Sequence, residues 1–214
     1  MLKIQKFEVN MIQENCYILS DETNEAVVID NGAFFDDDKD RIEYYIEKNR
    51  LKVVKQINTH GHFDHSFGTA HGYEIWEAKM WIHAADAELY THCSDQIVDF
   101  MRQSIEIDIA PIEKELQEDD IITFGNQELK VIHTPGHTPG GVCFYSEENK
   151  CLFSGDSLFY GSIGRTDFPG SNTDALVTSL KEKILTLPTE TTVYPGHGPS
   201  TTIAQEKVSN PYLR

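Results

Sequence analysis

The sequence predicts an α/β layered domain, two sheets with helices outside rather than a single wound sheet. Short apolar strands occur in both halves of the chain, and helical periodicities interrupt them in both halves. No repeat of solenoid length and no low-complexity linker divides the 214 residues. With 39% hydrophobic and 25% charged residues, the chain can bury a substantial core, so one domain spanning residues 1–214 is expected.

Ile4, Phe7 and Val9 open the chain with imperfect alternation. Cys16-Tyr17-Ile18-Leu19 and Ala26-Val27-Val28-Ile29-Asp30 are further strands, each bounded by Asn, Asp or Glu. Residues 37–50 are expected to be helical, because Ile42, Tyr45 and Ile46 share one face with charges opposite. The strand Val53–Asn58 then runs into Thr59-His60. A helix is expected over 84–105, with Ile97, Phe100 and Met101 on its apolar face. Strands return at Ile121–Phe124, Leu129–His133, Val142–Tyr145 and Cys151–Phe153. A helix over 173–186 presents Leu176, Leu180 and Ile184, and the short strand Thr192-Val193-Tyr194 precedes the last turn.

Eighteen basic and 35 acidic residues leave a net charge of −17 with neutral histidines. Such a surface repels phosphate backbones and anionic lipid, so neither nucleic acid nor a membrane is an expected partner. Runs such as Asp36-Asp37-Asp38 and Glu118-Asp119-Asp120 are expected to be solvated surface. Cys16, Cys93, Cys143 and Cys151 form no C-x-x-C pair, which argues against a thiolate zinc cluster. The start of the chain lacks the apolar stretch of a signal peptide, and no run approaches a membrane span. A cytoplasmic protein with reduced, buried thiols is expected.

The chemistry is concentrated in Thr59-His60-Gly61-His62-Phe63-Asp64-His65, just after an apolar strand. Alternation along a strand cannot put all four polar groups on one face; His60, His62 and Asp64 share a parity that His65 breaks. A loop leaving the strand end presents two neighbouring groups of ligands instead. Imidazole and carboxylate suit zinc, iron or manganese, and such a cluster without a cation is opposed by desolvation and repulsion. Three further turns repeat the arrangement of apolar strand, small residues, then one ligand-type side chain. They are Thr134-Pro135-Gly136-His137, Ser154-Gly155-Asp156-Ser157 and Tyr194-Pro195-Gly196-His197-Gly198. Together these segments supply five histidines and two aspartates, a number that fits two ions sharing one carboxylate. His71, His83, His92 and His133 are expected to be ordinary surface, helix or strand-end residues, with support of the neighbouring His137 turn as the lesser alternative for His133.

His60-x-His62-x-Asp64-His65 followed by His137, Asp156 and His197 resembles the ligand set of the metallo-β-lactamase superfamily, over nearly the whole chain. The resemblance implies an αββα sandwich of two mixed β-sheets flanked by helices, with the site at one edge between the sheets. It further implies that His60, His62 and His137 hold a first metal and Asp64, His65 and His197 a second. Asp156 bridges the two in that scheme. The implied cofactors are two divalent ions, zinc first, with iron or manganese as alternatives. A hydroxide between the ions is the implied nucleophile, with Asp64 as the catalytic residue that orients it. The Gly164-Arg165-Thr166-Asp167 stretch resembles the glyoxalase II group and the related persulfide dioxygenases. The ending Pro195–Thr202 with Asn210-Pro211-Tyr212-Leu213 is similar to short bacterial glyoxalase II-like hydrolases. Residues 198–214 leave little room for the added C-terminal helical region with which full-length glyoxalase II grips glutathione.

The expected function is therefore metal-dependent hydrolysis of a small-molecule thioester such as an S-(2-hydroxyacyl)glutathione. The alternatives are a mononuclear iron persulfide dioxygenase using His60, His137 and Asp156, or a small ester or lactone hydrolase. Arg165 and Tyr160 are candidate substrate contacts; for Arg165 the competing role is a structural tie to Asp167.

Overall fold

The computed structural model describes residues 1–102 and 104–214. Its first sheet is built from β1 (Lys3–Val9), β2 (Glu14–Ser20), β3 (Glu25–Ile29), β4 (Lys52–Ile57), β5 (Met80–His83) and β6 (Ile112–Leu116), in that spatial order. The first two pairings are antiparallel and the remaining three parallel. Parallel neighbours need crossovers. These are α1 (Asp36–Lys48), α2 (Thr69–Trp76) and the pair α3 (Ala87–Thr91) and α4 (Cys93–Met101).

The second sheet begins with β7 (Ile121–Phe124), β8 (Gln127–His133), β9 (Val142–Ser146) and β10 (Cys151–Gly155). A small hairpin follows, β11 (Leu158–Phe159) with β12 (Ser162–Ile163), and then α5 (Thr173–Ser179). β13 (Thr192–Pro195), β14 (Thr201–Thr202) and α6 (Ile203–Ser209) complete the chain's regular elements. The spatial order is β14-β13-β10-β9-β8-β7, with β10 and β13 parallel and the other pairs antiparallel.

Side-chain alternation explains why the two sheets stack. Tyr17 and Leu19 of β2 join Val27 and Ile29 of β3 in the core between the sheets, where they meet Val131, Phe144 and Phe153. The intervening Cys16, Ile18, Ala26 and Val28 face outward and are covered by Ile42 and Ile46 of α1. On the far side, Cys143, Leu152 and Val193 lie under Leu176, Leu180 and Ile184 of the α5 segment. Strands buried on both faces are continuously apolar. The αββα sandwich of two mixed sheets expected from the sequence is the observed fold, and all four cysteines are free and buried.

The structure corrects several local expectations. The helix expected over 84–105 is broken: a tight turn at Ala84–Asp86 leads into α3, and α4 ends at Met101. Gln103 lies outside the described residues. Ile97 is buried, but Phe100 is 49% exposed and does not belong to the inner face. The Asp36–Asp38 run is not all solvated, since Asp38 is buried, accepting from Asn10 N (2.9 Å) and pairing with Arg41 (2.7 Å). β5, β6, α2 and α6 have no clear periodicity in the sequence; their packing partners define them. Past Ser179, α5 widens into π-type turns through Ile184.

Asp21 pins the two sheets together at the end of β2. Fully buried, it accepts from Thr23 N (2.9 Å), Thr23 Oγ1 (2.6 Å) and Asn126 N (2.7 Å) in the β7–β8 turn. Burial opposes its charge, but these donors outweigh it and hold the carboxyl at about 2, below the ordinary 3.8. Asp21→Asn is expected to cost about 1–2 kcal/mol, a fall of roughly 2–8 °C in Tm. A lowered folded-state value makes this stability present above pH 3.8 and lost as pH falls toward 2. The two proteins should therefore converge in urea unfolding at pH 2, and a constant gap across pH would refute the charge-based role.

Candidate metal centre

The C-terminal ends of β4, β8, β10 and β13 lie on one edge of the sandwich, and each releases a loop there. β4 ends at Ile57; an extended run through His62 then closes into one helical turn, Phe63–His65. That turn brings Asp64 and His65 beside His60, where strand geometry separates them. Asn58 braces the turn, its Nδ2 donating to His65 O (3.1 Å) and Ser66 Oγ (2.9 Å). His137 comes from the β8–β9 loop, Asp156 follows β10, and His197 follows β13.

The seven candidate residues converge. Ligand-type atoms of His60, His62 and His137 lie within 4.8 Å of one another, and so do those of Asp64, His65 and His197. Asp156 faces both groups: Oδ2 is 3.5 Å from His137 Nε2 and 3.8 Å from His197 Nε2, while Oδ1 is 3.5 Å from His65 Nε2. The crowding depends on glycine. A Cβ on Gly196 would stand 2.4 Å from Asp156 Oδ1 and 2.7 Å from the His65 ring.

The outer nitrogens orient these rings. His137 Nδ1 donates to the Arg165 carbonyl (2.7 Å) and His197 Nδ1 to the Gln13 carbonyl (3.2 Å). His60 Nδ1 lies 3.1 Å from Thr59 Oγ1, which donates to Asp30 Oδ2 (2.7 Å), and the same oxygen lies 3.1 Å from His65 Nδ1. At His60, His137 and His197 the outer contact leaves Nε2 as the lone-pair nitrogen aimed inward, the usual support of a metal-bound imidazole. Nε2 of His60, His65 and His137, with Asp156 Oδ1, are buried and have no hydrogen-bond partner. Buried polar atoms without partners are costly, and a cation is what such a donor set satisfies. The residues therefore fit a metal site.

The two halves differ electrostatically. Burial, then the neighbouring imidazoles, drives His60 toward neutrality; burial and His137 bring His62 down to about 4. At His65 burial opposes charge, but Asp64, Asp30 and Asp156 prevail and raise it. Burial likewise opposes charge on Asp64, yet the neighbouring His65 and His197 imidazoles, the latter with Nε2 3.2 Å from Oδ2, hold it ionised. Behind His65, burial drives the Glu14 carboxyl well above the usual range, against the pull of His65.

The two candidate substrate contacts are placed differently. The Arg165 guanidinium forms a two-pronged pair with Asp167 (2.7 Å each) and stacks over Phe168 at 4.1 Å, and Phe168 packs on His62 (ring centroids 5.3 Å). Tyr160 stands 57% exposed at the tip of the β11–β12 turn. His71, His83 and His92 lie outside the cluster: His71 pairs with Glu43, His83 stacks on His133 at 4.2 Å, and His92 bonds its own helix end. His133 Nε2 donates to Pro139 O (2.9 Å), bracing the His137 loop, the lesser of the two readings the sequence offered. Sequence reasoning missed Asn15 and Tyr17, which clamp the His197 turn through Pro195 O (3.0 and 2.7 Å) and, from Asn15, Gly198 O (2.9 Å). It also missed Asp30; a carboxylate closing the apolar run of β3 was the available signal.

A two-sheet sandwich carrying a histidine–aspartate cluster at one edge defines a metal-dependent hydrolase. The chain belongs to the metallo-β-lactamase superfamily, whose sequence pattern matches residues 9–197. It is 35% identical over 218 residues to the hydroxyacylglutathione hydrolase GloC of Haemophilus influenzae, covering 99% of this chain and 98% of that one. The crystal structure of BLEG-1, a B3 metallo-β-lactamase, superposes with a TM-score of 0.89 at 33% identity, over 100% of this chain and 99% of that one. A di-iron-bound form of TTHA1623 superposes at 0.86 with 35% identity, over 98% and 100% of the two chains. Among the described residues no helix is long and apolar enough to cross a membrane.

Proposed function

We propose that this chain hydrolyses a small thioester of the S-(2-hydroxyacyl) thiol class at two divalent cations. In this reading His60, His62 and His137 hold one cation, Asp64, His65 and His197 the other, and Asp156 serves both. The observation that carries it is the reach of Asp156, one carboxylate within 3.8 Å of a histidine Nε2 from each group. The likeness to GloC supports the thioester, and the His/Asp set supports zinc first, with iron as the alternative that the di-iron relative favours.

When bound, such cations lower the pKa of a water molecule from about 15.7 to about 7 and polarise a carbonyl oxygen. The chain's own residues supply the rest. His60 and His62, kept neutral by burial, offer lone pairs at neutral pH. Asp64, held ionised, supplies the carboxylate that would orient a water proton. Phe168, held by Arg165, walls the His62 side and limits solvent there. A thiolate leaves without a strong protein acid. The net charge of −17 suits a small neutral or carrier-bound ester better than a nucleic acid, and free buried thiols suit the cytoplasm.

The second reading is persulfide dioxygenation at a single iron held by His60, His137 and Asp156. The observation in its favour is the 3.5 Å approach of Asp156 Oδ2 to His137 Nε2, which closes a face of two histidines and one carboxylate. Elemental analysis of the purified chain, with assays on S-lactoylglutathione, glutathione persulfide and a β-lactam, separates the readings. Two metal ions per chain with thioester turnover are expected. One iron with oxygen uptake, or turnover of the β-lactam alone, overturns the proposal.

A further inference from the structure

The three imidazoles assigned to the first cation come from two different sheets. His60 and His62 flank Gly61 on the loop after β4, whereas His137 sits on the loop after β8. Their rings lie 4.9 Å (His60–His137) and 4.7 Å (His62–His137) apart, so a small slip of one sheet over the other spoils the trio. One side chain spans the gap between the loops. Asp86, fully buried on the turn between β5 and α3, accepts from Gly61 N (2.9 Å) and Thr138 Oγ1 (2.6 Å) at Oδ2, and from Gly140 N (2.6 Å) at Oδ1.

Every donor to this carboxylate lies close in sequence to a candidate ligand: Gly61 lies between His60 and His62, Thr138 follows His137, and Gly140 is in the same loop. Both loops are shaped around it. A Cβ on Gly140 would come within 2.7 Å of Asp86 Cβ and Cγ, and one on Gly61 within 2.9 Å of Asp86 O. The acceptor count selects the residue type. Asparagine of the same length carries an N–H₂ where one of these oxygens stands, placing donor against donor. Glutamate adds a methylene where the loops leave no room. A buried carboxylate held by three neutral donors is costly to keep, and a neutral core residue would pack this turn more cheaply.

We infer that Asp86 is a positioning residue for the first cation: it sets the separation of the His60/His62 pair from His137, and thereby the affinity of that half of the site alone. This rests on the two-cation reading above. Outer partners of metal ligands typically change affinity by roughly 10–100-fold when removed.

The test is titration of Co²⁺ into the metal-free full-length chain, followed by its visible absorption. The wild type is expected to bind two ions, and the absorption phase missing from His62→Ala identifies the first half. Asp86→Asn should weaken that phase by roughly 10–100-fold and leave the other within about twofold. Thr138→Val, which removes one of the three bonds, should weaken the same phase less, and it keeps the question open to test if Asp86→Asn folds poorly. Tyr90→Phe is the control for general destabilisation. It deletes the bonds from Tyr90 Oη to Ala110 O (2.9 Å) and Thr69 Oγ1 (3.1 Å), two residues that belong to neither ligand loop. It should lower Tm without separating the phases. In zinc-loaded protein, Asp86→Asn should lower kcat with KM nearly unchanged. Unaltered affinities in Asp86→Asn and Thr138→Val, or equal weakening of both phases, overturn the inference while leaving the two-cation reading intact. A wild type that binds fewer than two ions overturns both.

Discussion

Asp156→Asn is expected to lower thioester kcat/KM by at least about 10³-fold, roughly 4 kcal/mol of barrier, and to reduce the metal content from two ions to one or fewer. Asp156 is the side chain that faces both halves, with Oδ1 toward His65 and Oδ2 toward His137 and His197. Asparagine keeps the shape but loses the negative charge where two cations would meet, and turns an N–H₂ toward one of them. Charge-assisted contacts are the stronger class, and among the described residues no other carboxylate approaches histidines of both groups. The fold should survive, because Oδ1 of Asp156 has no hydrogen-bond partner to lose. Elemental analysis, steady-state kinetics and far-ultraviolet circular dichroism on one preparation make the check. Two ions per chain with wild-type turnover would remove the bridging role.

Stripping the metal should lower Tm by roughly 8–16 °C. A ligand present at about 1,000 times its Kd stabilises the folded state by roughly 4 kcal/mol, and a chain of this size shifts by roughly 2–4 °C per kcal/mol. The structural reason lies in Nε2 of His60, His65 and His137, which are buried and have no partner within the protein. Zinc or iron should restore the melting temperature. Magnesium and calcium should not, because hard cations prefer oxygen and five of the seven candidate ligands are imidazoles. A chelated protein shown to be metal-free yet melting at the same temperature would instead describe a scaffold that tolerates its own cluster.

Much of the architecture was legible because it is written in short-range pattern. β2 and β3 are apolar at consecutive positions, as strands buried on both faces must be. The α5 segment shows Leu176, Leu180 and Ile184 at helical spacing, and all three are buried. The elements that escaped were those without periodicity. β5 is four residues long and is held by pairing with β4 and β6, neither of which is near it in sequence. Phe100 has the spacing of an inner-face residue yet is half exposed, because α4 ends one residue later and its ring meets Phe63 at one edge (centroids 5.4 Å) rather than entering the core.

By itself the sequence determined the chemistry on offer. Ligand-type side chains follow apolar strands inside glycine- and proline-rich turns, and that arrangement is local, so His60, His62, Asp64, His65, His137, Asp156 and His197 could be named before any fold was known. The tertiary structure decided how they are held. Asp30, Asn15, Tyr17 and Asp86 act on partners between 25 and 183 residues away, and apart from the carboxylate that closes the β3 run they carry no signature in their own neighbourhoods. A ligand is recognisable from its own chemistry, whereas a support is defined by what it touches, and contact is a property of the folded chain alone.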